Sequence, residues 1–354
     1  MCRDFIARKH SRIPAILAFL LIGGVASGIS GYPHGPQTQD KRERADHKKA
    51  KPALVDESGA HATLWKEPDA IENLDLFYGA GGSEGAPDLS GKFTLVRRLR
   101  SGTAKKLRVK DDKGREWTVK FGPETRPETA ATRIVWAMGY HVDQDYFVKR
   151  VHIEGLKDDA TNVRFKRNDD GFHEIGLWNW DSNSFNGTRE LEGLKILMAV
   201  LNNWDLKDDN NSVIRSKDAG GDAAERIYYV SDLGASFAST GSLVRKVLFF
   251  ADPPAGTKNK PESYAHEAFI DGVDNGEVQF HYKGKDRDTL KGIKVERARW
   301  IGGMLGRLSE KQLGDAFRAA GFEDVEVATL VRSMQERIGQ LQNLTKARVA
   351  PICS

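Results

Sequence analysis

The chain has 354 residues, with 54 lysines and arginines against 50 aspartates and glutamates, so its formal net charge is +4. Hydrophobic residues make up 39% and charged residues 29%, which excludes a polytopic membrane protein and a mostly disordered chain. The small positive surplus gives no support for a nucleic-acid partner. The two cysteines, Cys2 and Cys353, stand at opposite ends, which excludes a disulfide framework and a multi-cysteine metal site.

The N-terminus predicts an export signal. Basic residues are concentrated in residues 1–12, and a largely apolar stretch follows at 13–29, with small residues towards its end. This pattern is typical of a signal peptide, here residues 1–26, cleaved after Ala26. The alternative is an uncleaved anchor in the inner membrane, because 17 residues (13–29) are at the lower limit for spanning a bilayer. Either interpretation predicts an exported protein, which is periplasmic or otherwise extracytoplasmic, or is anchored in the cytoplasmic membrane.

Two further regions follow. Residues 27–66 are rich in Pro, Gly, His and Lys and predict a flexible basic linker. Residues 67–354 predict one folded domain. Alternating apolar residues predict an antiparallel meander, and a proline opens the helix that follows it. The elements predicted for the first part of the domain are strands at 93–99, 105–110, 116–121 and 145–153 and a helix at 127–139.

The second part of the domain predicts mainly helices. A buried face with helical spacing predicts a long helix, and an Asn-Gly pair predicts a hairpin that is a candidate for substrate contact. The elements predicted here are helices at 188–204, 289–307, from Ser309, and at 324–344, strands at 213–214 and 227–230, and a hairpin at 269–284. The fold class is therefore α+β and bilobal, with a small antiparallel-sheet N-lobe carrying one helix and a mainly helical C-lobe.

Three polar segments could carry chemistry. Lys120 ends a predicted strand, the segment DLKDDN occupies 205–210, and SDLG at 231–234 follows another strand. Taken singly, each also fits a solvated lysine, a helix-capping loop or an ordinary turn. A calcium loop fits the second segment poorly, since Lys207 occupies the third ligand position and no glycine stands at the sixth.

The order of these segments resembles a protein-kinase-like fold. A strand lysine is followed by a helix carrying Glu128, by Asp-Leu-Lys-x-x-Asn at 205–210, and by Asp-Leu-Gly in place of Asp-Phe-Gly at 232–234. No Gly-x-Gly-x-x-Gly or Ala-Pro-Glu motif is present, and Asn203-Trp204 stands where kinases carry His-Arg. The pattern is therefore more similar to atypical kinases, such as the secreted Fam20-type, HipA-like and phosphoinositide-kinase-like groups.

The resemblance implies ATP together with Mg²⁺, or Mn²⁺ in its place. Asp205 would be the catalytic base, and Lys207 would steady the transferred phosphoryl group. Asn210 and Asp232 would hold the metal through oxygen atoms.

It also implies the residues that bind the nucleotide. Lys120 would contact the α and β phosphates and be oriented by Glu128, with Glu124 as a rival partner. The turn Ser101, Gly102 and Thr103 would cover the phosphates with backbone amides.

The favoured function is an exported or membrane-anchored atypical kinase. It would transfer the γ-phosphate of ATP to a hydroxyl of a protein, glycan, lipid or small molecule. Its partners would then be the nucleotide and an unknown hydroxyl acceptor, with inner-membrane association through residues 13–29. One alternative is a catalytically inactive pseudokinase that serves as a binding module of the cell envelope. A more distant alternative is a structural envelope protein whose Asp and Asn loops are simply polar.

Overall fold

A computed structural model describes residues 61–100, 104–168, 171–217, 225–239 and 256–345. All of them belong to one unit, Pro52–Ser354. The predicted signal peptide and anchor, most of the predicted linker and the turn Ser101–Thr103 lie outside the described residues. Within the described ranges, no helix is both long enough and apolar enough to cross a bilayer.

The described ranges hold twelve strands and seven α-helices. The strands are β1 (Ala62–Thr63), β2 (Phe93–Leu99), β3 (Lys106–Asp111), β4 (Glu116–Lys120), β5 (His141–Val142), β6 (Asp145–Val151), β7 (Ala160–Arg167), β8 (Phe172–Gly176), β9 (Asn211–Ser216), β10 (Arg226–Val230), β11 (Ile270–Asp274) and β12 (Glu277–Phe280). The helices are α1 (Gly82–Gly85), α2 (Thr125–Ala137), α3 (Arg189–Val200), α4 (Pro261–Ala265), α5 (Val295–Leu305), α6 (Glu310–Ala319) and α7 (Asp324–Gln342).

The first lobe is built on an antiparallel sheet with the order β2-β3-β4-β7-β6. The predicted meander and the fourth predicted strand are confirmed, but β7 was not predicted and lies between β4 and β6. Its buried Val163 and Phe165 alternate with Arg164 and Lys166, so that one side of the strand is charged. These charges explain why composition did not indicate a strand, and Arg164 contacts the cluster described below.

The sheet closes on itself to form a small barrel. Beyond the end of β6, Glu154 forms a parallel bridge with Thr94 of β2. The amide of Leu95 donates to the Glu154 carbonyl at 2.9 Å, and the amide of Glu154 donates to the Phe93 carbonyl at 2.8 Å. The two outer strands are thereby joined, and each side chain points either into the barrel or out of it.

The inner face of the barrel is apolar and the outer face is polar. Leu107, Val119, Phe165 and Tyr146 oppose one another in register across four strands, and together with their neighbours they form a hydrophobic core inside the barrel. The next row on the outside consists of Lys106, Lys120, Arg164 and Phe147. Because strand side chains alternate between faces, burying the apolar row obliges these cations to point outward.

Helix α2 covers part of this polar outer face. It contacts β6, β7 and the short turn Leu233–Ala235. Its apolar residues, including Ile134 and Val135, belong to the large hydrophobic core of the second lobe rather than to the core of the barrel. The helix therefore lies between the lobes and brings its first turn against the outward-facing cations of the barrel.

The second lobe is helical around a second sheet. The predicted bilobal α+β class is confirmed, but this lobe also contains β10 paired with β9, β1 and β5, and β9 paired with β8. The predicted long helix at 289–307 is wrong in its first turn, where the chain forms a 3₁₀ turn at Arg287–Leu290 and the helix begins at Val295. Gly292 separates the two with a left-handed backbone (φ +75°) that a continuous helix does not allow.

Helix capping follows the sequence closely. Thr188 accepts from the amide of Leu191 at the start of α3, and Ser309 forms a capping box with Gln312 at the start of α6. Helix α3 ends at Val200, because Asn202 adopts a left-handed backbone (φ 49°) that turns the chain into the polar segment after it.

Paired structure begins before residue 67, the predicted start of the domain. Strand β1 pairs in parallel with β10, and Leu64 is 2% exposed in the main core. The indole of Trp65 donates to the carbonyl of Met138 at 2.7 Å, at the end of α2. Residues 61–66 are thus packed into the second lobe.

We predict that Leu64→Ala lowers the free energy of unfolding by about 2–5 kcal/mol, because truncation of a buried leucine loses burial and leaves a cavity. Urea denaturation of the full chain measures this change. Leu89→Ala is the control, since Leu89 is 53% exposed and its truncation is expected to have little effect. An equal response of both variants would contradict the packing of residues 61–66.

Candidate active site

The ammonium group of Lys120 lies among three carboxylates, two from the start of helix α2 and one from the turn that begins at Asp232. Its Nζ is 3.0 Å from Glu128 Oε2, 2.7 Å from Asp232 Oδ1 and 2.6 Å from Glu124 Oε2. Lys120 and Glu128 are each 1% exposed, whereas the side chain of Asp232 is 44% exposed. Both glutamates considered as partners therefore contact Lys120, and Asp232 faces the open side of the cluster.

The mutual charges set the protonation of this cluster. Burial opposes the charge of Lys120, but Glu128 and Asp232 outweigh it and raise its pKa. Burial likewise acts to raise the pKa of Asp232, but Lys120 outweighs it and lowers that pKa to about 2. Asp232 is therefore an ionised carboxylate at neutral pH, with part of its surface available to a ligand.

Glu128 also forms an ion pair with a second buried cation, Arg164. Arg164 Nη2 donates to Glu128 Oε1 at 2.7 Å, and its other terminal nitrogen is 3.2 Å from Asp145 Oδ1. Burial raises the pKa of Asp145 to about 7 although Arg164 acts in the opposite direction. Sequence reasoning missed Arg164 because it missed β7, and only the Val-x-Phe alternation around it could have indicated its position.

The turn after Asp232 lies tightly against the start of α2. Asp232 has a left-handed backbone (φ 52°), which is uncommon for a residue with a side chain. A Cβ atom on Gly234 would come within 2.6 Å of Glu124 Cβ. Glycine at this position thus allows the Asp-Leu-Gly segment to bring Asp232 against Lys120.

The Asp205 loop, residues 202–210, forms the other wall of the cleft. Asp205 Oδ2 accepts from Lys207 Nζ at 3.0 Å, and Asn210 donates its amide nitrogen to the Asp205 carbonyl at 2.8 Å. The carbonyl of Asn210 accepts from the amide of Ser231 at 2.9 Å, directly before Asp232. This hydrogen bond joins the loop that carries Asp205 to the segment that carries Asp232, although these two aspartates are 27 positions apart in the sequence.

Lys285 is a site residue that sequence reasoning missed. Its Nζ is 2.6 Å from Asp205 Oδ1, so each oxygen of that carboxylate is bonded to an ammonium group. Its amide donates to the carbonyl of Trp204 at 2.9 Å. Gly284 permits this approach, since a Cβ there would lie 2.7 Å from Trp204 Cα. Lys285 follows the predicted hairpin directly, and that hairpin is present as β11 and β12.

Trp204 occupies the place where ordinary kinases carry an arginine. It is 4% exposed, and its indole donates to the carbonyl of Thr257 at 2.9 Å. The ammonium groups of Lys258 and Lys285 each lie 5.7 Å from its ring, close enough for cation–π attraction. Lys258 also bonds to Glu124, so a ring and two lysines link the Asp205 loop to the cluster around Lys120.

The oxygen atoms of Asn210 and Asp232 suit a magnesium ion. Asp232 is ionised, and Asn210 uses its amide nitrogen on Asp205, so its amide oxygen is the atom left for a cation. In the described part of the chain no cluster of three or more His, Cys, Asp or Glu could hold a metal by itself. Mg²⁺ commonly takes only one or two protein oxygens and completes its shell with phosphate and water, which fits this pair.

The predicted site residues are thus placed as follows. Lys120, Glu128 and Asp232 are in direct contact, Asp205, Lys207 and Asn210 form the facing loop, and Ser101, Gly102 and Thr103 lie outside the described residues. Together with the two lobes, this arrangement resembles a protein-kinase-like fold.

Comparisons with known proteins give matches among solved structures. Neither family models nor curated proteins give a match. Among solved structures, the proinflammatory kinase CtkA of Helicobacter pylori is similar, with a TM-score of 0.44, 10% identity and coverage of 71% of this chain and 94% of that chain. The Rio2 kinase of Chaetomium thermophilum, solved as an ADP/Mg²⁺-phosphoaspartate complex, has a TM-score of 0.29 and 13% identity, covering 70% and 72%.

We predict that Lys120→Met lowers the free energy of unfolding by about 3–5 kcal/mol, because it leaves buried carboxylates without their cation. The loss should be larger at pH 7 than at pH 4. In the wild type, the low pKa of Asp232 stabilises the fold above pH 3.8 and this contribution is lost as pH falls through about 2. Without Lys120 the carboxylate pKa values rise, so that stability is instead lost as pH rises.

Urea denaturation at the two pH values measures the effect. Lys120→Arg should retain most of the stability, and Lys110→Met at an exposed position of the same sheet face is the control. An equal loss at pH 4 and pH 7 would show that only packing, and not charge, is involved.

Proposed function

We propose that this protein is an atypical kinase that transfers the γ-phosphate of ATP to a hydroxyl group. One observation carries the proposal: a buried lysine is shared by a helix glutamate and by the aspartate of an Asp-Leu-Gly segment, beside a loop carrying Asp205 and Asn210. Phosphoryl transfer needs positioned positive charge on the phosphates, a site for Mg²⁺ and an acceptor for the hydroxyl proton. Residues of the right chemistry for all three tasks line the cleft.

Asp205 is the residue that would take the proton of the acceptor hydroxyl. Its two oxygens are bonded to Lys207 and Lys285, but a carboxylate oxygen can accept a second hydrogen bond, so the hydroxyl can still be held there. The same two ammonium groups would stabilise the negative charge that develops on the transferred group. Lys207 also lies within electrostatic range of Asp232, the carboxylate that would hold the metal.

Lys120 would bind the phosphates, and Glu128 and Arg164 would hold it in position. Asn210 and Asp232 would hold Mg²⁺, which when bound neutralises charge on the phosphate oxygens. The acceptor could be a protein, a glycan, a lipid or a small molecule.

We predict that Asp205→Asn and Asp232→Asn abolish phosphate transfer from ATP, with a fall of about 10²–10⁴-fold for the loss of a positioned base. Autophosphorylation and ADP release by the full chain, measured with Mg²⁺, report the change. Asp209→Asn is the matched control, because Asp209 is an exposed carboxylate of the same loop and should retain activity.

Three outcomes of this experiment are distinct. Unchanged turnover in both active-site variants would overturn the assigned roles. Thermal stabilisation of the wild type by Mg²⁺-ATP without any transfer would favour the inactive binding module instead. The absence of any thermal stabilisation by Mg²⁺-ATP would favour the third interpretation, a structural protein whose Asp and Asn loops are simply polar.

We also propose that the chain is exported or held in the inner membrane through residues 13–29. The basic and apolar pattern of the N-terminus supports this proposal. Cell fractionation should place the protein outside the cytoplasm or in the membrane, and N-terminal sequencing of the mature chain should begin at residue 27 if the signal is cleaved. A full-length protein in the cytoplasmic fraction would contradict the proposal.

A further inference from the structure

A second lysine of the barrel lies beside Lys120 and faces the same cleft. Lys106 of β3 is directly opposite Lys120 of β4 in the antiparallel register. Opposed residues of such a pair project from the same face of the sheet, with Cβ atoms about 4.5–5.5 Å apart. The inner face is filled by Leu107 and Val119, so the side chain of Lys106 is on the outer, cleft-facing side.

Lys106 differs from the other cations of the cleft because, among the described residues, no carboxylate forms an ion pair with it. Lys120 contacts three carboxylates, and Arg164 contacts Glu128 and Asp145. Over the ranges that the structure describes, no carboxylate lies within ion-pair distance of Lys106 Nζ.

The surroundings of Lys106 make this an unfavourable place for an unpaired charge. It is partly buried, and burial lowers its pKa, which the more distant Asp232 only partly offsets. A partly desolvated ammonium without a partner costs free energy in the folded state. Packing therefore gives no reason for a lysine at this position, whereas an anionic ligand would.

We propose that Lys106 is a second phosphate-binding residue, which positions the phosphate chain of the nucleotide beside Lys120. This inference rests on the proposed kinase function and adds a residue to that site. Lys106 does not take part in bond making. It supplies positive charge at the edge of the cleft where the nucleotide phosphates would lie.

The charges of the cleft explain why a second cation is useful here. The carboxylates around Lys120 use its charge and also those of Arg164 and Lys258. This cluster therefore offers no surplus positive charge to a phosphate chain. Kinases with a glycine-rich loop add backbone amides around the phosphates, but this chain has only SGTAKK at 101–106. An ammonium group at Lys106 would supply that positive charge and provide a charge-assisted hydrogen bond to the phosphates.

The proposal also predicts what Lys106 recognises. An ammonium group beside the phosphates contributes to binding ATP or ADP and not to binding adenosine, which has no phosphate. Its contribution should weaken as salt is added, because it is a charge–charge interaction at a partly exposed position.

The test uses the full chain with Lys106→Met, and calorimetry with Mg²⁺-ATP and with adenosine. We expect the Kd for Mg²⁺-ATP to rise about tenfold or more, which is the usual cost of losing one hydrogen bond to a charged group, while the Kd for adenosine is unchanged. Lys106→Arg should restore most of the affinity. Lys110→Met is the matched control, since Lys110 is on the same face of the same strand but is exposed, and its variant should bind ATP as the wild type does.

Each other outcome is informative. Equal ATP affinity in the wild type and Lys106→Met would overturn the role of Lys106 while leaving the proposed function intact. Equal weakening of ATP and adenosine would indicate a structural role and would also overturn it. A wild type that binds neither would overturn the proposed function, and this inference with it. If Lys106→Met does not fold, Lys106→Gln provides the same comparison. Without nucleotide, the variant should be as stable towards unfolding as the wild type, because an unpaired charge has been removed.

Discussion

The cleft depends on one constraint: a buried ammonium group that must be neutralised where the two lobes meet. Lys120 is driven outward from the barrel by the apolar row behind it, and it is then covered by α2 and by the turn after Asp232. An uncompensated charge at such a position would cost several kcal/mol. The folded protein therefore needs carboxylates beside Lys120, and Glu124, Glu128 and Asp232 supply them. The position of α2, the tight Asp-Leu-Gly turn and the support from Arg164 all follow from satisfying this charge.

Local sequence patterns were enough to predict most elements and the order of the functional segments. Strand alternation located β2, β3, β4 and β6, and the capping residues Thr188 and Ser309 located two helix starts. Lys120, Glu128 and Asp232 could be related to one another only through their resemblance to a known order of motifs, because the contact between Lys120 and Asp232 spans 112 residues. Contacts between residues so far apart in the sequence depend on tertiary packing, which local periodicity does not encode.

The residues that were missed have a common physical reason. Arg164, Lys258 and Lys285 are charged residues that act through long-range pairs, with Glu128, Glu124 and Asp205 respectively. As single residues they are indistinguishable from solvated surface cations, which are far more common. β7 was missed because its outward side is charged, although that side is covered in the folded protein. The closure of the sheet through Glu154 likewise has no local signal, since it depends on a bridge between residues 60 positions apart (94 and 154).

The closed barrel has a consequence for how the cleft could open. Its apolar core is complete in itself, and the apolar side of α2 belongs to the core of the other lobe. Glu128 lies on a helix whose apolar side packs in the second lobe, whereas Lys120 and Arg164 belong to the barrel, so the contact at this point is made by ion pairs. Opening of the cleft here would stretch those ion pairs, and an anion bound beside Lys120 would compete with the carboxylates that hold it.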